Sequence, residues 1–184
     1  KTPMGLAYDG DRLAVGTALE IWEFHNVPAV ARKLAPAGKH DACFLPRTSH
    51  VAGNVQVHEM AWVGEELWFV NTRFSCLSCR AANFNFDPRW RPRFISALAP
   101  EDRCHLNGLA MDGIRPAFMT AIAESDEPQG WRPHRLTGGG VREVPPGEII
   151  GRGPARPHPP RRPTHQARWL ATAAGARRRV RRPA

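Results

Sequence analysis

Short runs of apolar residues interrupted by polar ones recur along the chain, and turn-forming pairs separate them. Residues 19–24 intersperse leucine, isoleucine, tryptophan and phenylalanine with two glutamates, close to the period of two of a half-buried strand. Before them, the apolar runs 4–8 and 12–17 flank Asp9-Gly10, a strong hairpin signal. The start of the chain is therefore predicted to form antiparallel strands.

Two further units of the same kind follow. They comprise 55–63, Gly64-Glu65 and 66–71, and then 106–111, Asp112-Gly113 and 116–122. Aligning Leu6-Ala7, Met60-Ala61 and Leu109-Ala110 gives spacings of 54 and 49 residues. Repeats of about 40–50 residues that each supply a few strands are typical of propeller blades. We predict an all-β fold, a partial β-propeller of about three blade-like units; a β-sandwich with recurring hairpins is the alternative.

Two long connections separate these units. Residues 25–54 are predicted to be irregular, because prolines and glycine interrupt them, although residues 26–34 could form one or two helical turns. Residues 78–100 form the second connection, in which residues 87–93 are predicted to be a proline-interrupted edge strand or a loop. Near the end, residues 141–144 and 148–150 are predicted to pair as a hairpin, since glycines precede the first strand and a Pro-Pro-Gly sequence separates the two.

Charge divides the chain into two parts. The formal net charge is +9, yet residues 152–184 hold 10 of the 26 Lys and Arg and none of the 17 Asp and Glu. We therefore predict an incomplete propeller domain at 1–151 and a basic Arg/Pro/Ala-rich tail at 152–184. The tail is either disordered or the product of a shifted reading frame. Nucleic acid is an unlikely partner, because Trp169 is the single aromatic residue there.

Composition also bears on the compartment. The chain has no run of about 18 apolar residues, so no membrane partner or span is expected. Four cysteines are few for a disulfide framework and favour free thiols in a reducing compartment. We predict a cytoplasmic protein. Because the chain begins at Lys1, we expect residues to precede it, and a signal peptide could lie among them.

The richest chemistry lies at the starts of the predicted innermost strands. In a propeller these strands line the axis, so His58-Glu59 should converge with His105 and Asn107. Glu59 could act as a general base and His105 as an acid or oxyanion donor. The predicted ligand-binding residues are His58, Asn71, Arg73, Asp102, Arg103 and Asn107. Alternatively, these residues satisfy backbone groups at strand ends or hold water in the channel.

The same residues could bind a divalent metal. The predicted ligands are His58, Glu59 and Asn107. Imidazole and carboxylate ligands suit zinc or manganese, whereas carboxylate and amide oxygens suit calcium. The cofactor is therefore unknown, with these three ions as candidates.

Several strings resemble an uncharacterised bacterial family of conserved hypothetical proteins with a domain of unknown function. They are His58-Glu59-Met60-Ala61-Trp62, residues 67–77, residues 90–96, residues 98–110, Gly130-Trp131-Arg132 and residues 139–151. The resemblance covers about residues 4–151 and implies a propeller-like fold without an agreed activity. Family members continue with a Pro-His-Ser-Pro-Arg-Trp string and a Leu-Trp strand, where this chain has residues 157–161 and then Arg177-Arg178-Arg179.

A second resemblance concerns Asn107-Gly108-Leu109-Ala110. It is similar to the Pro-Asn-Gly-Leu strand of gluconolactonase-type propellers, with Leu106 in place of the proline. The resemblance implies that Asn107 binds a divalent metal on the central axis.

Two functions follow from these observations. The first is a polar axial site for a small polar or sugar-like ligand, with a metal-dependent hydrolase or lactonase-like activity. The second is a non-catalytic interaction module in which the rim loops, residues 25–54 and 78–100, hold a protein partner.

Overall fold

The computed structural model describes residues 3–145, which form three antiparallel sheets. The predicted strand at 148–150, the domain boundary at 151 and the tail at 152–184 lie outside the described residues. The all-β prediction is confirmed: each sheet is a meander in which neighbouring strands are antiparallel. Among residues 3–145, no helix is long and apolar enough to cross a membrane.

The first sheet contains four strands in chain order. They are β1 (Gly5–Tyr8), β2 (Arg12–Gly16), β3 (Glu20–Asn26) and β4 (Phe44–Val51). A helical turn, α1 (Pro28–Ala31), lies in the connection between β3 and β4. The prediction that residues 25–54 are irregular is wrong for residues 44–51, which form β4, whereas α1 lies where a helical turn is predicted. Pro46 lies within β4, and proline is tolerated there because β4 is an edge strand.

The second sheet also contains four strands. They are β5 (Val57–Val63), β6 (Glu66–Asn71), β7 (Cys76–Cys79) and β8 (Asp87–Trp90). The connection predicted at 78–100 thus contains a short edge strand, with Pro88 inside it. Between β5 and β6, Gly64 takes a φ of 62°, which the predicted two-residue turn favours in glycine.

The third sheet has three described strands, β9 (Leu106–Asp112), β10 (Arg115–Ala121) and β11 (Gly140–Glu143). A single 3₁₀ turn, Arg132–His134, lies in the connection from β10 to β11. The strand predicted at 141–144 is present and pairs with β10.

The sheets pack side by side through their first strands, β1 against β5 and β5 against β9. Between the first two sheets, Ile21, Met60 and Phe69 are buried; between the second and third, Leu77, Leu109 and Met119 are buried. This order is compatible with three propeller blades, and the propeller assignment itself stays a prediction.

Replacing Phe69 with alanine tests the first interface. Phe69 is 0 % exposed, so Phe69→Ala should lower the free energy of unfolding by about 3–5 kcal/mol through lost burial and a residual cavity. Urea denaturation measures this change. Phe84 is 75 % exposed, so the matched control Phe84→Ala should change it by less than about 0.5 kcal/mol. Equal effects of the two substitutions would contradict the packing described.

Candidate functional site

The segment that enters β9 is fixed by the turn that follows β6. Thr72 Oγ1 donates to the Leu106 carbonyl at 2.7 Å. The Asp102 amide donates to the Arg73 carbonyl at 2.8 Å, and the Arg103 amide donates to Ser75 Oγ at 3.0 Å. Three hydrogen bonds along five residues hold residues 102–106 in one conformation against the second sheet.

Two residues of this segment have left-handed backbone conformations. Asp102 has a φ of 48° and His105 a φ of 50°. Asp and His are among the residue types that tolerate this region best, but each such residue still costs on the order of 1–3 kcal/mol. Strain of this kind persists only where the surroundings hold it, and it is often found at functional sites.

The Asp102 carboxylate joins two rings. Asp102 is 8 % exposed. Its Oδ2 lies 2.9 Å from His105 Nδ1 and accepts a hydrogen bond from Trp131 Nε1, also at 2.9 Å. A carboxylate can only accept, so the proton lies on Nδ1 of His105. In the tautomer of His105 that this contact favours, Nε2 is the nitrogen without a proton.

Matching bulges place the next two side chains. Between Val57 and Met60, β5 has one residue more than β6 opposite it, and β9 has the same extra residue between Leu106 and Leu109. His58 and Asn107 occupy the equivalent position in these two bulges. Bulges redirect side chains and are over-represented beside active sites.

The bulges bring His58 to His105. Their ring centroids lie 5.0 Å apart at an interplanar angle of 78°, and the Asn107 side chain acts to raise the pKa of His58. The sequence predicted that His58, His105 and Asn107 converge, and the structure brings them together with Asp102. Whether they bind or react with a ligand stays a prediction.

Trp131 completes the cluster and was missed by sequence reasoning. Its ring centroid lies 4.3 Å from that of His105. The Gln129 amide donates to the Glu101 carbonyl at 3.0 Å and so ties the Trp131 loop to the segment before β9. The sole available signal was the family-like string around Trp131. We call His58, Asp102, His105, Asn107 and Trp131 the polar centre.

Arg103 forms ion pairs next to the polar centre. Its guanidinium contacts Glu101 at 2.7 Å and Asp126 at 2.6 Å. Hydrogen bonds from Ser96 and from Arg103 lower the pKa of Asp126 to about 2. Arg103 was predicted to bind ligand, but these contacts engage it in joining the loop after β10 to the segment before β9.

Three other predicted residues lie around the polar centre in different ways. Asn71 is 0 % exposed, and its Oδ1 accepts from the Phe74 amide at 3.1 Å, so its amide shapes the turn after β6. Arg73 contributes its carbonyl to Asp102. Glu59 is half-buried in the β5 bulge, and its role as a base stays a prediction.

Burial shifts the titration of His58. Desolvation is the main cause that lowers the pKa of His58, and repulsion from His105 adds to it. The Asp102 carboxylate and the Asn107 side chain act in the opposite direction. His58 is therefore neutral near pH 7 and able to accept a hydrogen bond.

Among residues 3–145, no group of three or more His, Cys, Asp and Glu side chains is arranged to hold a metal ion. The predicted set of His58, Glu59 and Asn107 contains two such side chains and an amide, and it stays a prediction. A cavity of about 270 Å³ lies beside the end of β10 and is lined by Glu124, His134 and Arg142 among others, without His58 or His105. Side-chain contacts, and not this cavity, define the polar centre.

Comparison with known proteins gives one match. The family model described as "Domain of unknown function (DUF4915)" matches residues 1–181. No curated protein and no solved structure matches the chain. The family match includes residues 152–181, which sequence analysis set apart as a tail. The resemblance to a family of unknown function is thereby confirmed, whereas the gluconolactonase resemblance remains that of a four-residue string. The chain belongs to the family described as "Domain of unknown function (DUF4915)".

Proposed function

We propose that the polar centre binds a small hydroxyl-bearing molecule, such as a sugar or a sugar lactone, at the axis of a partial β-propeller. The observation that carries this proposal is the Asp102–His105 contact of 2.9 Å beside His58. Binding sites for small molecules combine a few oriented polar groups with aromatic surface, and Trp131 supplies the aromatic surface here.

The two histidines have complementary roles in this proposal. The hydrogen bond to Asp102 orients His105 and leaves its Nε2 as an acceptor for a ligand hydroxyl or water. His58 is neutral near pH 7, so one of its ring nitrogens can accept and the other can donate.

The reaction that this arrangement supports is proton transfer to and from oxygen, as in hydrolysis of an ester or lactone. His105 would take a proton from water as the water oxygen bonds to the carbonyl carbon, and Asp102 would stabilise the imidazolium that forms. The imidazolium would then return the proton to the alkoxide oxygen that leaves when the ester or lactone C–O bond breaks. This assigns the basic role to His105, whereas sequence reasoning gave that role to Glu59. A divalent ion held by His58 and Asn107 would make the reaction metal-dependent.

The cytoplasm is the compartment that fits this proposal. Cys43, Cys76, Cys79 and Cys104 are all free thiols, and burial raises the pKa of Cys76 to about 12 and that of Cys104 to about 11. Unpaired thiols support a reducing compartment.

Replacement of His105 tests the proposed chemistry. His105→Ala should reduce the rate of hydrolysis of a sugar δ-lactone, followed by pH-stat, by about 100-fold or more, because a general base contributes at least that factor. His134 is an exposed histidine, so the matched control His134→Ala should keep the full rate.

Repeating both assays with a chelator, and then with added calcium, zinc or manganese, shows whether a metal takes part. Equal rates for wild type and His105→Ala would contradict the role given to His105. Failure of the wild type to bind or hydrolyse any of a panel of sugar lactones would contradict the ligand class.

The pH dependence of stability tests the environment of His58. Because the pKa of His58 is lowered on folding, the unfolded chain binds more protons between the folded and the ordinary value. Stability therefore falls as pH drops through this window. Thermal melting between pH 8 and 5 should show a steeper decline for wild type than for His58→Gln. The control His134→Gln should decline like wild type. A parallel decline for His58→Gln would show that His58 is not desolvated.

A further inference from the structure

The first sheet has one partly exposed apolar face on the side away from the second sheet, and Phe44 at the start of β4 packs against Tyr8 on it, with ring centroids 5.9 Å apart. Strand alternation and register put every second residue of β1, β2 and β3 on this face. Its members, which we call the open face, are Leu6, Tyr8, Leu13, Val15, Trp22 and Phe24. Leu6 is 51 % exposed, Tyr8 57 % and Trp22 39 %. A contiguous exposed apolar patch of this kind marks an interaction surface.

The two interfaces between neighbouring sheets of the chain show which residues pack against a face of this kind. The face of each later sheet that meets the preceding sheet has large side chains on its first strand, Val57 and Met60 in β5, and Leu106 and Leu109 in β9. In the first interface the opposing strand, β1, contributes Gly5 and Ala7. A Cβ added to Gly5 would lie 2.9 Å from Val57 Cγ1, so the large side chains need small residues opposite them.

The open face corresponds to the faces with large side chains, since β1 has Leu6 and Tyr8 on it. The outward face of the third sheet has small residues on its first strand, the partly exposed Gly108 and the buried Ala110. Phe118, 44 % exposed, and Val141, 43 % exposed, lie farther out on the same face. The open face and the outward face of the third sheet could therefore pack against each other as the first and second sheets do within the chain.

These two faces do not meet within the described chain. β1 packs on β5, and β5 packs on β9, so the first and third sheets flank the second, and each of the two faces lies on the side of its sheet away from the second sheet. We propose that the open face of one copy docks on the outward face of the third sheet of a second copy, head to tail.

The chemistry of the remaining residues favours a second copy over the chain's own tail. Residues 152–184 carry ten arginines and no acidic residue, with few large apolar side chains. Burying guanidinium groups on an apolar face without acidic partners is unfavourable. A second copy offers the small residues that the open face requires.

Head-to-tail docking uses two different surfaces, so it can be tested by blocking each one separately. Sedimentation velocity of the full-length chain should show mass above the monomer that rises with concentration. Leu6→Lys on the open face and Phe118→Lys on the third sheet should each move association to concentrations about tenfold higher or more, as expected when a buried leucine- or phenylalanine-sized side chain is lost.

The decisive experiment is sedimentation velocity of an equimolar mixture of the two variants. Leu6→Lys keeps the third-sheet face and Phe118→Lys keeps the open face, so an equimolar mixture should form a dimer that grows no further. Phe84 is 75 % exposed and lies on neither face, so Phe84→Lys should associate like wild type. Circular dichroism and melting of each variant show that it folds.

Three results would overturn the proposal. The first is a wild type that stays monomeric at all concentrations. The second is association that Leu6→Lys abolishes and Phe118→Lys leaves intact, which indicates that the open face pairs with itself or binds the tail. The third is a mixture of the folded variants that remains monomeric.

Discussion

The position of the Asp102 carboxylate is the constraint on which the polar centre depends. It accepts hydrogen bonds from His105 and from Trp131, which lie on opposite sides of the third sheet's hairpin in sequence, before β9 and after β10. The backbone that carries Asp102 is itself held by the carbonyl of Arg73. Asp102 therefore links three segments: its amide bonds to the turn after β6, and its carboxylate joins the entry to β9 to the loop after β10 and sets the ring orientation of His105.

The arrangement of the sheets also helps to position the polar centre. Their first strands lie side by side, and the bulges of β5 and β9 occur at equivalent positions. A bulge turns a side chain out of the regular alternation, and in both strands the redirected residue, His58 or Asn107, is polar. Repetition of one local irregularity in adjacent strands thus concentrates polar groups at one place without a long loop.

The sequence predicts most of the hairpins and turns, which depend on residues close together in the chain. Asp9-Gly10 and Gly64-Glu65 mark hairpins because turn geometry requires those residue types, and the aligned units anticipate that His58 approaches His105. It misses β4, whose strand depends on pairing with β3 and whose Pro46 suggests a break. It also misses Trp131 and does not anticipate the ion pair of Arg103 with Asp126, because their partners, Asp102 and Asp126, become neighbours only through the fold.

A double-mutant cycle between Asp102 and Trp131 tests the central interaction most directly. Asp102→Ala, Trp131→Phe and the double variant are compared by urea denaturation. If the carboxylate joins the two segments as described, the two substitutions should be non-additive by about 0.5–3 kcal/mol, the range for residues in direct contact. Additivity within about 0.3 kcal/mol, the behaviour of independent sites, would contradict the account.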